Sequence, residues 1–351
     1  MKKLLVIAVA AGLIAPAAAM ADTTLYGKLH ASVGSVKTSP GAGGASTTET
    51  GVESHSSRFG VKGSTALDNG LSATYGLEYG LDIDGDNNGN STAVVGTADS
   101  RAIAARNTFV GVKGGFGEVR VGRHDTPAKL ATAGQDIFAD TYADLGNIIA
   151  SDNHRVNNAV AYINKFGPVG FAAAHSTGIE SDVSAVTGEA NTMMVNYSNG
   201  PWYAGLGHTN VQTLAKVTNL GLGWKAEAGH TANLVYETAK GGSNAAAAAA
   251  VATAIGTPGE KDVKDTNIML NGAYKMGNVT LKGQVGESKR KGSAVATNNG
   301  KEKLTTVGVD YSLGKKTSVY LLHSINKNTN KDTVVSDDKV TATAVGLVTE
   351  F

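Results

Sequence analysis

Apolar and polar residues alternate along much of the chain. Between residues 71 and 83 every odd position is apolar and every even position is polar or glycine. This period of two predicts a β-strand with one face toward an apolar medium and the other toward water. Such a strand would extend over about 43 Å. Tilted by about 40°, it would cross the apolar layer of an outer membrane.

The same alternation recurs near residues 219–226, 267–275, 279–285 and 306–313. Short, turn-rich links are predicted at 67–70, 114–116, 167–168, 199–200, 227–229, 276–278 and 314–315. Longer polar links are predicted at 37–57, 84–105, 124–154, 177–190, 211–217, 240–264, 289–302 and 328–339. Seven short and eight longer links join 16 strands. Because lipid tolerates no unpaired strand edge, we expect an all-β fold: a closed, transmembrane antiparallel β-barrel of 16 strands.

The first residues have the pattern of an export signal. Lys2 and Lys3 precede an apolar run from Leu4 to Ala15, and small residues flank Met20. This predicts a signal peptide over residues 1–21, followed by a barrel domain over residues 22–351. A membrane-anchoring helix is the alternative, but the apolar run is shorter than the roughly 20 residues that such a helix needs.

Composition narrows the possible functions by exclusion. The chain has 45 glycines, no cysteine and 17% charged residues, with 31 basic against 30 acidic side chains. The lack of cysteine excludes a disulfide scaffold and a cysteine-ligated metal site. The balanced charge argues against a nucleic-acid partner. We expect neither a cofactor nor catalysis, and the net charge of about −1 without the signal peptide does not predict ion selectivity.

Segments spread over most of the chain resemble the general diffusion porins of Gram-negative bacteria, above all the glycine-rich porins of Neisseria and other β-proteobacteria. The similar segments are 25–28 (LYGK), 57–63 (SRFGVKG), 106–113 (RNTFVGVK), 117–123 (GEVRVGR) and the final Phe351. The resemblance implies a passive outer-membrane channel for ions and small hydrophilic solutes. It also implies a homotrimer surrounded by lipid and lipopolysaccharide. Finally, it implies that the third long loop, residues 124–154, folds into the barrel and narrows it.

The alternation of side chains along each strand predicts which charged side chains face the interior. Phe109 and Val156 are expected to face lipid, and the inward basic side chains are Lys28, Arg58, Arg106, Arg120 and Arg155. By resemblance, Lys28, Arg58, Arg106 and Arg155 match the basic cluster of the family, and Asp136, Asp140 and Asp144 of the third long loop are its acidic partners. We therefore expect a charged pore constriction formed by a basic wall, with Arg120 included, and an acidic loop. The alternative is that these are interior charges away from the narrowest point.

Other motifs are weaker. Asp84, Asp86 and Asn88 have the spacing of half a calcium-binding loop, but Val95 stands where a glutamate is needed, so we expect no metal. Ser198-Asn199-Gly200 resembles part of an outer-membrane phospholipase motif, but Asn196 replaces the required histidine. A β-barrel hydrolase and a surface adhesin remain the alternative functions.

The end of the chain resembles an assembly signal. By resemblance, Phe351 and Gly346 match the pattern that the barrel-insertion machinery reads in the last strand. Thr349 departs from it, because a hydrophobic residue is expected there.

Overall fold

The computed structural model describes residues 23–41, 44–84, 103–153, 155–177, 189–212, 214–241, 262–292, 299–330 and 338–351. The predicted signal peptide, Asp86 and Asn88 lie outside these ranges. Within them, no helix is both long enough and apolar enough to span a membrane.

The described residues form a single antiparallel sheet of 17 strands. The strands are β1 (Thr24–Ser39), β2 (Thr47–Ser54), β3 (Arg58–Ala66), β4 (Ser72–Leu81), β5 (Ile103–Gly114), β6 (Gly117–Asp125), β7 (Arg155–Phe166), β8 (Val169–Ser176), β9 (Ala190–Asn199), β10 (Trp202–Val211), β11 (Ala215–Lys225), β12 (Thr231–Gly241), β13 (Lys264–Met276), β14 (Val279–Lys291), β15 (Gly300–Ser312), β16 (Thr317–Asn330) and β17 (Asp338–Glu350).

The sheet closes because β1 pairs with β17 on one side and with both β2 and β3 on the other. β2 and β3 are therefore two halves of one barrel strand. They are interrupted at residues 55–57, where Ser56 has a left-handed φ of 51°. Counted this way the barrel has 16 strands, as the alternation of short and long links predicts.

The strands keep the predicted two-faced character. On β4, which is somewhat shorter than predicted, Leu77 is 48% exposed while its neighbour Glu78 is only 8% exposed. Other exposed apolar side chains share the outer face, including Val33, Val110, Val121, Val160, Leu222, Leu270, Val285, Val307 and Val345. An apolar belt around a closed barrel suits a lipid environment, and the polar face lines the interior.

Two register irregularities change this alternation. The pairing of β4 with β5 shifts between Leu77 and Tyr79. Beyond the shift Phe109 lies on the inner face, where the Arg120 guanidinium stacks 4.1 Å from the ring centre. The pairing of β6 with β7 shifts between Gly122 and His124, and Val156 is buried in an apolar cluster. A bulge adds one residue to one strand and reverses the facing of the side chains beyond it. The prediction that Phe109 and Val156 face lipid was therefore wrong.

Residues 126–153 connect β6 to β7 through short helices. They are α1 (Pro127–Thr132) and the 3-10 turns Ala133–Gln135, Leu145–Asn147 and Ala150–Asn153; a further 3-10 turn, Asp68–Gly70, lies in the link between β3 and β4. Thr126 caps α1, since its Oγ1 accepts a hydrogen bond from the Lys129 backbone N–H at 3.1 Å. Pro127 suits the first turn, where no N–H partner is needed. We call residues 126–153 the inner segment.

The barrel seam explains the positions of Gly346 and Phe351. The backbones of Gly27 and Phe351 exchange hydrogen bonds of 3.1 and 3.3 Å. The Phe351 ring fills the space that a side chain at Gly27 would need, and the Tyr320 ring does the same at Gly346. Both residues therefore contribute to closing β17 onto its neighbours, in addition to the predicted role as an assembly signal.

Deleting Phe351 is expected to reduce the amount of folded barrel in the outer membrane several-fold, because the seam loses two hydrogen bonds and a packed ring. Folded barrel is measured as the heat-modifiable species on gels of outer-membrane fractions. Phe351→Tyr keeps the ring and is expected to assemble normally. An undiminished yield after deletion would contradict both the seam role and the assembly-signal role.

Candidate functional site

Polar side chains of the barrel wall hold the inner segment against the interior face. They donate hydrogen bonds to its backbone carbonyls: Asn219 to Ala128 (2.8 Å), Asn271 to Gln135 (2.8 Å), Lys282 to Ile137 (2.9 Å) and Gln284 to Ala143 (2.7 Å). Each bond joins a main-chain carbonyl of the segment to a side chain of the wall. The segment is thus fixed to β11, β13 and β14 by its main chain.

Glu237 on β12 anchors the end of the segment. Its carboxylate is fully buried and accepts hydrogen bonds from the backbone N–H groups of Ala150 (2.8 Å) and Ser151 (3.0 Å) and from Asn267 (2.9 Å). Hydrogen bonds to a buried carboxylate are among the stronger ones in proteins. The sequence gives little sign of this role, since a lone inward glutamate is common in a water-facing strand.

Two apolar clusters reinforce this attachment. In the first, Leu145, Ile148 and Ile149 pack on Val235, Met269 and Leu304; in the second, Phe138 and Ala143 pack on Tyr320, Leu322 and Ala344. Full burial of one large apolar side chain contributes about 1.5–3 kcal/mol. The segment therefore adheres to the wall formed by β12–β17, and the basic side chains lie on the strands that follow in the closed sheet, from β1 to β7.

Asp140 joins the segment to that basic wall. Its Oδ2 lies 2.7 Å from Lys28 Nζ on β1 and 3.1 Å from Arg58 Nη1 on β3. Burial alone would raise the pKa of Asp140, but the two cations outweigh it and hold the pKa well below its usual range. Asp140 also has a φ of 55°, an unusual backbone conformation at the point that meets both cations.

Arg106 and Arg155 are held by carboxylates of the wall itself. Arg106 Nε donates to Glu78 Oε1 at 2.9 Å, and Arg155 Nε lies 2.8 Å from Asp125 Oδ1. Glu78 also accepts from the Tyr26 hydroxyl at 3.0 Å. Sequence reasoning placed Glu78 on the wet face of its strand but did not single it out. It missed Asp125, which ends β6.

A cavity of about 330 Å³ lies where these groups meet. Its charged lining consists of Arg106, Lys129 and Arg155 on the basic side and Glu53, Asp140, Asp144 and Asp152 on the acidic side. Arg106 and Arg155 of the predicted basic wall thus line this cavity directly. Lys28 and Arg58 are connected to it because they bind Asp140, which also lines it. Lys129 and Glu53 were not predicted.

The structure does not bring Arg120 to this group. Its guanidinium binds the neighbouring Glu118, with Nε to Oε1 at 2.7 Å and Nη2 to Oε2 at 3.0 Å. It lines a different cavity, closer to the short links of the barrel. Glu118 and Arg120 both lie on the inner face of β6, so the alternation of side chains placed Arg120 on the correct face. Alternation does not show how far along the barrel axis a side chain lies.

Asp136, Asp144 and Asp152 form a partly buried cluster of carboxyl groups within the inner segment. One oxygen each of Asp136, Asp144 and Asp152 lies within 4.8 Å of the others. Asp136 accepts from the backbone N–H groups of Phe138 (2.9 Å) and Leu145 (3.0 Å), while Asp144 accepts from Asp140 and Gly146 (both 2.7 Å). Asp136 therefore stabilises the fold of the segment and does not line the cavity.

Burial is the main cause of the raised pKa values in this cluster. It raises the pKa of Asp136 and of Asp144, and in Asp136 the charges of Asp144 and Asp152 add to the effect. Burial and the neighbouring Asp144 raise the pKa of Asp152 to about 7, and the two side chains share a hydrogen bond. A carboxyl group that keeps its proton reduces the repulsion between these closely spaced side chains.

Comparisons with known proteins agree with this architecture. A family model described as Gram-negative porin matches residues 6–332. The major outer membrane protein P.IB of Neisseria meningitidis serogroup B is 30% identical over 343 residues, which cover 91% of each chain. An anion-selective porin from Comamonas acidovorans has a TM-score of 0.70 at 22% identity, covering 94% of this chain and 99% of its own. An outer-membrane protein of Vibrio cholerae, solved in a trimer form, has a TM-score of 0.59 at 17% identity. The match covers 94% of this chain and 99% of the Vibrio cholerae chain.

The family match spans most of the chain, and the sixteen-stranded barrel carries the apolar belt that an outer membrane requires. The chain therefore belongs to the Gram-negative porins, as an outer-membrane β-barrel that forms a diffusion channel and is not an enzyme.

Proposed function

We propose that the inner segment narrows the channel to a charged constriction through which ions and small hydrophilic solutes diffuse. Its basic wall is Lys28, Arg58, Arg106 and Arg155, and Asp140 is the principal acidic partner. The observation that carries the proposal is the Asp140 bridge to β1 and β3. The Asp140 bridge joins the segment, which is also fixed to β12–β17, to the adjoining strands β1 and β3, so that the charged groups meet inside the barrel.

A constriction of this kind selects by polarity. Opposed charges across a narrow, water-filled space create a transverse field, which low-dielectric walls focus. Polar solutes can align with that field, whereas apolar solutes lose ordered water without compensation. The arrangement supports passive diffusion of hydrophilic solutes over catalysis.

The charge balance supports a preference for anions. Lys28 and Arg58 outnumber their shared partner Asp140, and burial with the neighbouring Asp144 raises the pKa of Asp152 to about 7. The Asp140 bridge therefore carries an excess of positive charge. The similar barrel from Comamonas acidovorans carries the description anion-selective, which agrees with this proposal.

The test is electrical recording from purified protein in a planar bilayer. Stepwise conductance in potassium chloride is the expected result, and its absence would overturn the proposal of a diffusion pore. In a tenfold salt gradient the reversal potential is expected to have the sign of chloride preference. The opposite sign would reject the anion preference while leaving the channel intact.

The same proposal includes assembly. A homotrimer in lipid and lipopolysaccharide, exported by the signal peptide and inserted by the barrel-insertion machinery, is supported by the apolar outer face and by the trimer form of the similar Vibrio cholerae protein. Unheated outer-membrane samples are expected to migrate as trimers on gels and to dissociate on boiling. Monomers before heating would exclude a stable trimer.

A further inference from the structure

A second, larger space lies at the end of the barrel interior that carries the short links. Its volume is about 580 Å³, and Lys62 of β3, Lys113 of β5 and the Glu118–Arg120 pair of β6 contribute its charged lining. A neighbouring cavity of about 280 Å³ shares Lys62 and Arg120 and extends to Asp125 beside the inner segment. We call the larger space the short-link vestibule.

The vestibule carries an excess of positive charge. Three basic side chains face one carboxylate, and that carboxylate, Glu118, already holds Arg120 through two hydrogen bonds. In the part of the chain that the structure describes, neither Lys62 nor Lys113 has a carboxylate partner within ion-pair distance. Lys113 lies directly opposite Glu118 in the β5–β6 register, so three basic side chains share one carboxylate, whereas the constriction cavity has acidic residues opposite its basic ones.

The wall orients these cations. Gly60 and Gly76 have no side chains, so the rings of Tyr26 and Phe109 lie against the bare backbone, where an added Cβ would come within 2.6 and 2.5 Å of a ring atom. Lys62 Nζ lies 4.8 Å above the Tyr26 ring centre, and the Arg120 guanidinium stacks on Phe109. Cation–π contacts restrict where flexible basic side chains go.

We propose that the short-link vestibule binds small dianions, the chemistry shared by phosphate and by paired carboxylates, next to the constriction. Three basic side chains on separate strands share one carboxylate, and this excess of two positive charges matches a dianion; the volume admits a partly hydrated solute of this size. This inference rests on the proposed channel, because the ligand must enter through the barrel. It assigns a binding function to Lys62 and Lys113, which the constriction does not use.

The inference is tested by isothermal titration of detergent-solubilised protein at low ionic strength. The probes are inorganic phosphate at pH 8 and malonate, each alone, with acetate as the monoanion. Saturable binding of either dianion, with acetate at least tenfold weaker, is expected. A lysine about 6 Å from a dianion in a water-like dielectric changes affinity about tenfold. Lys62→Gln with Lys113→Gln is therefore expected to weaken binding by at least that factor.

The matched control is Lys225→Gln, which removes a lysine from the short-link end of β11 and does not line the vestibule. Its dianion affinity is expected to equal that of the wild type. Each variant is also recorded in potassium chloride, so that a folded, conducting channel is established independently of binding. No dianion binding by a conducting wild type, or equal affinity in the double variant, would overturn the inference without affecting the proposed pore.

Discussion

Replacing Arg58 and Arg106 together by alanine is expected to shift the permeability ratio toward cations by about tenfold, since each removed charge lies about 5 Å from a passing ion in a mostly aqueous space. In the structure each of these arginines pairs with an acidic side chain that the substitution leaves in place. Without Arg58, Asp140 keeps only Lys28, and without Arg106, Glu78 keeps only the Tyr26 hydroxyl. The constriction therefore gains uncompensated negative charge as it loses positive charge.

The measurement is the reversal potential in a salt gradient. Arg290→Ala is the matched control, because Arg290 also forms a bidentate pair with a carboxylate, Asp265, but lies on β13–β14 away from the constriction cavity. It is expected to change selectivity much less. An unchanged reversal potential in the double variant would place Arg58 and Arg106 outside the narrowest part of the pore.

Replacing Asp152 by asparagine is expected to stabilise the protein at pH 8 and to stabilise it less than about half as much at pH 5. In the folded state burial and Asp144 raise the pKa of Asp152 to about 7, from an ordinary value of 3.8. An acid with a raised pKa favours folding while it is protonated. Its contribution is therefore complete below about pH 4 and is lost as the pH rises to about 7 and beyond.

Asparagine resembles the protonated carboxyl group at every pH, so it removes this loss. A pKa difference of about 3 corresponds to about 4 kcal/mol at most. Thermal unfolding of the purified protein at pH 5 and pH 8 measures the effect. Asp262→Asn is the control, because Asp262 is largely exposed and pairs only with Lys240 at the surface. An identical pH dependence in Asp152→Asn and wild type would show that Asp152 ionises freely in the folded protein.

The barrel could be predicted because its physical cause is local. A strand between water and lipid must alternate, and a closed barrel with short and long links must have an even strand count. Residues 71–83 carried that signal clearly, and Leu77 and Glu78 do lie on opposite faces. The sequence did not predict the interruption of the second barrel strand at Ser56. A left-handed backbone conformation at a serine does not alter the alternation of apolar and polar residues.

The constriction was less predictable because it depends on three things: how far along the barrel axis each side chain lies, the register of the strands, and the course of the inner segment. Alternation put Arg106 and Arg120 on the same face, yet they pair with different glutamates in different cavities. The shift near Leu77 placed Phe109 beside Arg120, against the alternation. The course of the inner segment is decided by distant contacts such as Glu237, which no local pattern records.

The seam between Gly27 and Phe351 has a kinetic consequence. These two residues lie 324 positions apart along the chain, and closure of the sheet requires them to meet. Contacts of such high sequence separation form late, because the chain entropy of a very long loop is lost before any pairing energy compensates. The sheet therefore stays open, with unpaired strand edges that are prone to aggregation, until Gly27 and Phe351 have met.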